Sequence, residues 1–173
     1  GVQGVSWVKW LRRLEVGDKP WATKDEVAHY VDLMPDGTHR QYTSIQEAKS
    51  VITAPSGGQK LLKHGYYDIT GLAWSGRGTV EKVEVSVDGG RNWLGARLEG
   101  PILPNALTRF HCDWVWQGEE ALLQARVTDS TGYIQPSRAQ LVEIRGTRSI
   151  YHNNAIQTWR VGVDGEVHNV QLG

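Results

Sequence analysis

The sequence predicts a mainly β chain folded as a two-sheet antiparallel sandwich. Three observations predict it. Turn signals recur from Ala48 onward, at Pro55-Ser56-Gly57-Gly58, Ser75-Gly76-Arg77-Gly78, Asp88-Gly89-Gly90, Gly100-Pro101, Gln117-Gly118 and Asp129-Ser130-Thr131-Gly132. Apolar and polar residues alternate between these turns, the period-2 mark of a strand with one buried face. Helical periodicity is nearly absent after Asp36. Short alternating strands at roughly 8–12-residue spacing are the pattern of an immunoglobulin-like sandwich.

Taken in order, Gly1-Val2-Gln3-Gly4 opens a Gly-rich segment in which Val8, Trp10, Leu14 and Val16 fall at even spacing with Lys9, Arg13 and Glu15 between them. This spacing predicts a strand with one wet face. Asp18-Lys19-Pro20-Trp21 breaks it, and Thr23-Lys24-Asp25-Glu26 matches a capping box that opens a short helix through about Leu33. Pro35-Asp36-Gly37 stops that helix, and the polar, turn-rich stretch to Tyr42 reads as a linker. Val83, Val85 and Val87 share one face and Glu84 and Ser86 the other, running into Asp88-Gly89-Gly90 as a hairpin. Phe110, Cys112, Trp114 and Trp116 alternate with His111, Asp113 and Val115, and Ala121, Leu123, Ala125 and Val127 repeat the pattern. Residues 139 to 144 read as the last strand of the sandwich.

Composition excludes several classes of function. Lys plus Arg and Asp plus Glu are 19 each, with no run of like charge, so neither nucleic acid nor an anionic membrane is an expected partner. No apolar stretch approaches the ~20 residues of a spanning helix. Cys112 is the single cysteine, so neither an internal disulfide nor a cysteine zinc cluster can form within the chain. The six histidines show no HxH or HExxH spacing, and a protein-only metal site is not expected. The chain starts without an initiator Met or a leader and is expected to be part of a longer protein. Eight Trp against one Phe point to an interface, since Trp buries a large apolar body while its N–H reaches a polar partner.

Three places invite chemistry. Cys112 beside His111 and Asp113 resembles a nucleophile with its base, but neighbouring strand residues face opposite ways, so Cys112 is expected to be a buried structural thiol. Around Lys9, glycines would let the backbone approach a ligand and the ammonium could meet a phosphate. The plain alternative there is a solvated lysine. Arg145-Gly146-Thr147-Arg148-Ser149 and Tyr151-His152-Asn153-Asn154 follow the last expected strand, either as a binding loop or as a solvated one.

At these same places the chain resembles the sulfite oxidase family, most closely its sulfane dehydrogenase branch. The likeness rests on Gly1-Val2-Gln3-Gly4 with Val8-Lys9-Trp10-Leu11, Lys49-Ser50-Val51-Ile52-Thr53, Gly71-Leu72-Ala73-Trp74-Ser75-Gly76, and Val85 to Trp93. Gly132-Tyr133-Ile134-Gln135-Pro136, Arg145-Gly146 and Tyr151 to Gln157 complete it. The resemblance implies an immunoglobulin-like (E-set) dimerisation domain over 43–173, a linker with a short helix over 17–42, and the C-terminal edge of a molybdopterin-binding domain over 1–16. It implies cofactor contacts at Trp7, Val8 and Lys9. Animal sulfite oxidases usually carry His at the Trp7 position, so backbone contacts are what it implies there. Arg145 falls where the family extends an arginine toward the substrate anion.

The resemblance further implies molybdopterin with molybdenum in the full-length enzyme, with the ligand cysteine outside this chain and haem only in a partner subunit. The expected partners are a second copy of the chain, a c-type cytochrome, and a sulfur-carrier protein or sulfite as substrate. The expected compartment is the periplasm, and the chain by itself is expected to be inactive. The alternatives are a sulfite oxidase or dehydrogenase of the same family, and a non-catalytic immunoglobulin-like module for adhesion, carbohydrate or protein binding.

Overall fold

A computed structural model describes residues 1–172 other than 20, 22, 35, 42–44 and 148–151. Within these residues the elements are α1 (Lys24–Ala28), β1 (Val31–Leu33), β2 (His39–Gln41), β3 (Lys49–Ala54), β4 (Gly65–Trp74), β5 (Val80–Ser86), β6 (Leu94–Gly95), β7 (Arg97–Leu98), β8 (Thr108–Trp116), β9 (Ala121–Asp129), α2 (Arg138–Arg145), β10 (Thr158–Val161) and β11 (Val167–Val170). One sheet runs β11-β10-β9-β5-β6 and the other β3-β4-β8-β7, with every strand pair antiparallel. The mainly β, immunoglobulin-like sandwich read from the alternation is the observed architecture.

The core lies between the two sheets because each strand turns its apolar set inward. Phe110 and Ile69 from one sheet and Val83, Val85, Leu123 and Val127 from the other are fully buried, each contributing about 1.5–3 kcal/mol. Val83 pairs with Val127 and Val85 with Ala125, so the β5 alternation meets its match on β9 in register. Gly71 lies where the Phe110 ring and the Val51 carbonyl press on the backbone, leaving no room for a Cβ. The Asp88-Gly89-Gly90 turn leads from β5 toward β6, and the Asp88 carboxylate accepts from the Arg91 and Asn92 N–H groups. Cys112 is buried with Phe110 and Trp114, while His111 turns outward and bonds Asp68 at 2.7 Å. The expected buried thiol is therefore observed, and burial raises its pKa.

Three expectations give way. The even spacing over 8–16 makes no strand: a short 3-10 turn at Gly4–Ser6 leads into a stretch without regular structure, with Trp10 and Val16 almost fully exposed. Alternation makes a strand only where a partner strand accepts its hydrogen bonds. The helix expected to reach Leu33 ends at Ala28, and Val31–Leu33 instead pairs with His39–Gln41 across a turn at Asp36-Gly37. Gly37 there adopts φ 83° and Asp36 Oδ1 accepts from Thr38, so local turn chemistry outcompetes the helix. The Glu26 side chain of the expected capping box lies outside what is described.

The third is the segment 139–144, which is not the last strand but the body of α2. Ser137 accepts from the Gln140 N–H and Gln140 caps the Ser137 N–H in return, a complete capping box. Good helix formers follow, and Leu141 and Arg145, four residues apart, share the buried face. The sandwich closes later, with β10 against β9 and β11 against β10. Trp116 in the core and Trp159 packed against it satisfy their N–H groups internally, on Glu119 O and Ile52 O, and the half-buried Trp93 donates to Gly90 O in the turn after β5.

Candidate functional site

The sequence-predicted site residues fall into two settings. Trp7, Val8 and Lys9 lie in the exposed segment after the 3-10 turn, where Trp7 N–H closes that turn on Gly4 O. Lys9 makes no ion pair among the described residues, and no hydrogen bond described uses the Val8 or Lys9 N–H groups. Free backbone polar groups beside an unpaired ammonium suit a ligand with a hydrogen-bonding edge and a phosphate. The residues present therefore fit a pterin-type group.

Arg145 lies in a buried network. It sits in the last turn of α2, where a cation complements the helix dipole. Its Nη1 donates to Asp32 Oδ2 at 2.6 Å and its Nη2 meets Glu47 Oε2 at 3.1 Å. Asp32 comes from β1, a hairpin outside the sandwich, and Glu47 stands just before β3. The Arg145 and Asp32 side chains are 4% and 0% exposed, so both charges have left water. Such a pair is held by geometry and additional hydrogen bonds, because desolvation consumes most of its Coulomb gain.

Glu47 joins the arginine to a histidine. His152 Nε2 lies 3.0 Å from Glu47 Oε2, and Gln3 Nε2 lies 3.3 Å from His152 Nδ1. An amide nitrogen only donates, so in this arrangement Nδ1 accepts and the Nε2–H is given to Glu47. The hydrogen bond from His152, together with the Arg145 charge, overcomes burial and brings the Glu47 pKa down to about 2. Tyr133 Oη meets Glu47 at 3.3 Å and accepts from Asn154 Nδ2 at 3.0 Å, and its pKa is raised, first by burial. Asp32 Oδ1 and Asn154 Oδ1 are buried and find no partner among the described residues.

The network gathers Gln3 from the N-terminal segment, Asp32 from β1, Glu47 before β3, Arg145 from the last turn of α2 and His152 seven residues beyond it. Gln46 N donates to Gly1 O and Gly76 N to Gln46 O, so the first residues are stitched onto the sandwich beside it. Asp32, Glu47 and Gln3 escape sequence reasoning because they lie far along the chain from the groups they meet, 113 residues for Asp32 and Arg145, 105 for Glu47 and His152 and 149 for Gln3 and His152. His152 stands in the Tyr151-His152-Asn153-Asn154 stretch that the sequence offers as a binding loop, but nothing in its spacing names Glu47 as its partner. Residues 148–151, part of the expected binding loop, lie outside the described residues. No group of His, Cys, Asp and Glu able to hold a metal occurs among the described residues.

The chain as a whole is similar to known proteins. The family model described as the Mo-co oxidoreductase dimerisation domain matches residues 40–159. The crystal structure of the sulfane dehydrogenase SoxCD from Paracoccus pantotrophus superposes with a TM-score of 0.94 at 52% identity, covering 100% of this chain and 45% of that one. Sulfite oxidase from Gallus gallus is 32% identical over 86% of this chain, which spans 35% of its length. A nitrate reductase [NADH] from Hordeum vulgare is 28% identical over 80% of this chain and 18% of its own. The chain thus spans less than half the length of each of these proteins. With its sandwich and sequence both matched over most of its length, the chain belongs to the Mo-co oxidoreductase dimerisation domain family, within the sulfite oxidase group of molybdenum oxidoreductases.

Proposed function

We propose that the chain is the dimerisation region of a molybdopterin-dependent sulfur oxidoreductase of sulfane dehydrogenase type. In this reading the enzyme oxidises persulfide sulfur held on a carrier protein and passes the electrons to a c-type cytochrome in the periplasm. The observation that carries it is the 52% identity to SoxCD sustained over the whole chain. The exposed apolar side chains of Trp7, Val8, Trp10, Leu11, Leu14 and Val16 add support, because a strip of that kind is normally covered by another body. A molybdopterin domain packed on residues 1–16 would cover it, with 17–42 as linker and 43–173 as the dimerising sandwich.

When bound, molybdopterin with its molybdenum supplies oxygen-atom transfer at sulfur. Trp7 and Val8 would hold the pterin through backbone groups and Lys9 through its ammonium. Arg145 would supply an always-charged guanidinium to the anionic sulfur group. Its position is set by Asp32 and Glu47, which hold two of its nitrogens. Cys112, buried in the sandwich, is not available as a metal ligand.

The test is steady-state kinetics of the full-length enzyme with a carrier persulfide and with sulfite. Arg145→Lys keeps the charge but loses the planar fork, and is expected to lower kcat/KM on the order of 10- to 100-fold for the preferred anion. Unchanged kinetics in a folded variant would remove Arg145 from the site. Preference for sulfite over persulfide would favour the second reading, a sulfite dehydrogenase, which the similarity to Gallus gallus sulfite oxidase supports. Sedimentation equilibrium tests the dimer, and a strict monomer of the full-length enzyme at tens of micromolar counts against it.

A further inference from the structure

Two recesses on the outer side of the β9-β10-β11 sheet share Arg138, Ile156, Thr158 and Leu172 and form one groove, with volumes of about 280 and 340 Å³. Arg126 and Trp93 line one end, Arg138 the middle and Lys49 the other end. A third recess, lined by Gln3, Glu47 and His152, shares Lys49 and Asn153 with it. The groove therefore leads to the buried Arg145 network.

Its charge departs from that of the molecule. The whole chain balances 19 cationic against 19 acidic side chains, yet no Asp or Glu lines either half of the groove. Arg138 makes no ion pair among the described residues. Lys49 Nζ donates to the neutral Asn153 carbonyl at 2.6 Å. Arg126 differs: it is held by Glu84 at 2.9 Å and lies 4.2 Å over the Trp93 ring, so it forms a fixed end wall. The lining is amide-rich: Gln124 is held by Thr158 and Gln140 by Ser137, while the Gln157, Asn169 and Gln171 side chains enter no hydrogen bond among the described residues. Amide side chains both donate and accept, which matches a peptide backbone.

We propose that this groove binds an extended acidic peptide segment of a partner protein, carboxylates toward Arg138 and Lys49 and backbone against the amides. A single small oxyanion would leave most of it empty, since a water molecule takes about 30 Å³. Spaced cations suit spaced carboxylates, and the rim exposure of Arg138 makes the contact salt-sensitive. The inference stands apart from the identity of the enzyme's substrate.

The experiment is fluorescence anisotropy of a labelled Glu-Gly repeat peptide titrated with the full-length protein, alongside its Gln-Gly analogue. Saturable binding of the Glu peptide is expected, weakened at least fivefold between 50 and 200 mM salt, roughly as screening of exposed charges dictates. Lys49→Gln with Arg138→Gln should weaken it at least about tenfold, the equivalent of about 1.4 kcal/mol. Arg109→Gln, on the other sheet, should leave it within about twofold, and unchanged far-UV circular dichroism shows that the variants fold. Equal affinity for the Gln peptide, no effect of the double substitution, or no binding at millimolar peptide overturns the proposal. So does a shift of the Trp93 indole N–H resonance with inorganic sulfate but not with the Glu peptide, because the groove would then be a small-oxyanion site.

Discussion

Replacing Arg145 with Met tests whether the network is structural as well as chemical. The substitution keeps length and apolar stem but withdraws the cation, leaving Asp32, fully buried, beside Glu47, 10% exposed. Asp32 Oδ1 already lacks a partner among the described residues, so after the substitution no described group would compensate the charge. Removing one partner of a buried ion pair costs about 3–5 kcal/mol, against about 0–1 for an exposed one. For a chain of this size 1 kcal/mol moves Tm by about 2–4 °C, so the melting point should fall by roughly 6–20 °C. Urea denaturation followed by tryptophan fluorescence measures the same loss as a lower midpoint at unchanged slope. In the double variant with Asp32→Asn the buried charge is gone too, and part of the loss, at least about 1 kcal/mol, should return as a coupling energy. A loss under about 1 kcal/mol in the single variant, or strict additivity in the double, would refute the buried pair.

Two further predictions concern pH and packing. Glu47, held near a pKa of about 2 against an ordinary 4.5, contributes stability that is fully present above about pH 4.5 and is lost as pH falls toward 2. That contribution is on the order of 3 kcal/mol, changing by up to about 1.4 kcal/mol per pH unit. Glu47→Gln should therefore flatten the stability curve below pH 4.5 by about one proton's worth, and superimposable slopes would disprove the role. Gly71→Ala drives a methyl into the Phe110 ring and the Val51 carbonyl, an overpacking cost of about 1–3 kcal/mol. An unchanged Tm would show that Phe110 does not seat over Gly71.

Much of the sandwich was legible because its signals are local. Val83, Val85 and Val87 before Asp88-Gly89-Gly90 carry a period and a turn within a few residues, and no distant partner is needed to read them. The inward Cys112 and outward His111 followed from strand geometry alone. Where the reading failed, a local signal had two solutions. Residues 8–16 carry an alternating pattern that no strand pairs with, and 139–144 carry enough apolar residues to pass for a strand although Ser137 and Gln140 form a capping box. The latter was readable: Ser followed three residues later by Gln is itself a helix-start signature.

The candidate site was legible only in part. Arg145 stood out through a family likeness, and Lys9 through glycines and charge. Nothing in the local sequence around Asp32, Glu47 or Gln3 marks them as partners of Arg145 and His152. By itself the sequence determined the antiparallel sandwich, its turns, its buried thiol and its membership of a molybdenum oxidoreductase family, because each of these is written in short-range pattern or in resemblance along the chain. Only the tertiary structure decided that Arg145 lies 4% exposed between two carboxylates, that a histidine completes the network, and that a groove without acidic lining leads away from it. The physical reason is that charge compensation depends on distance in space and on exclusion of water, and folding brings together residues separated by more than a hundred positions.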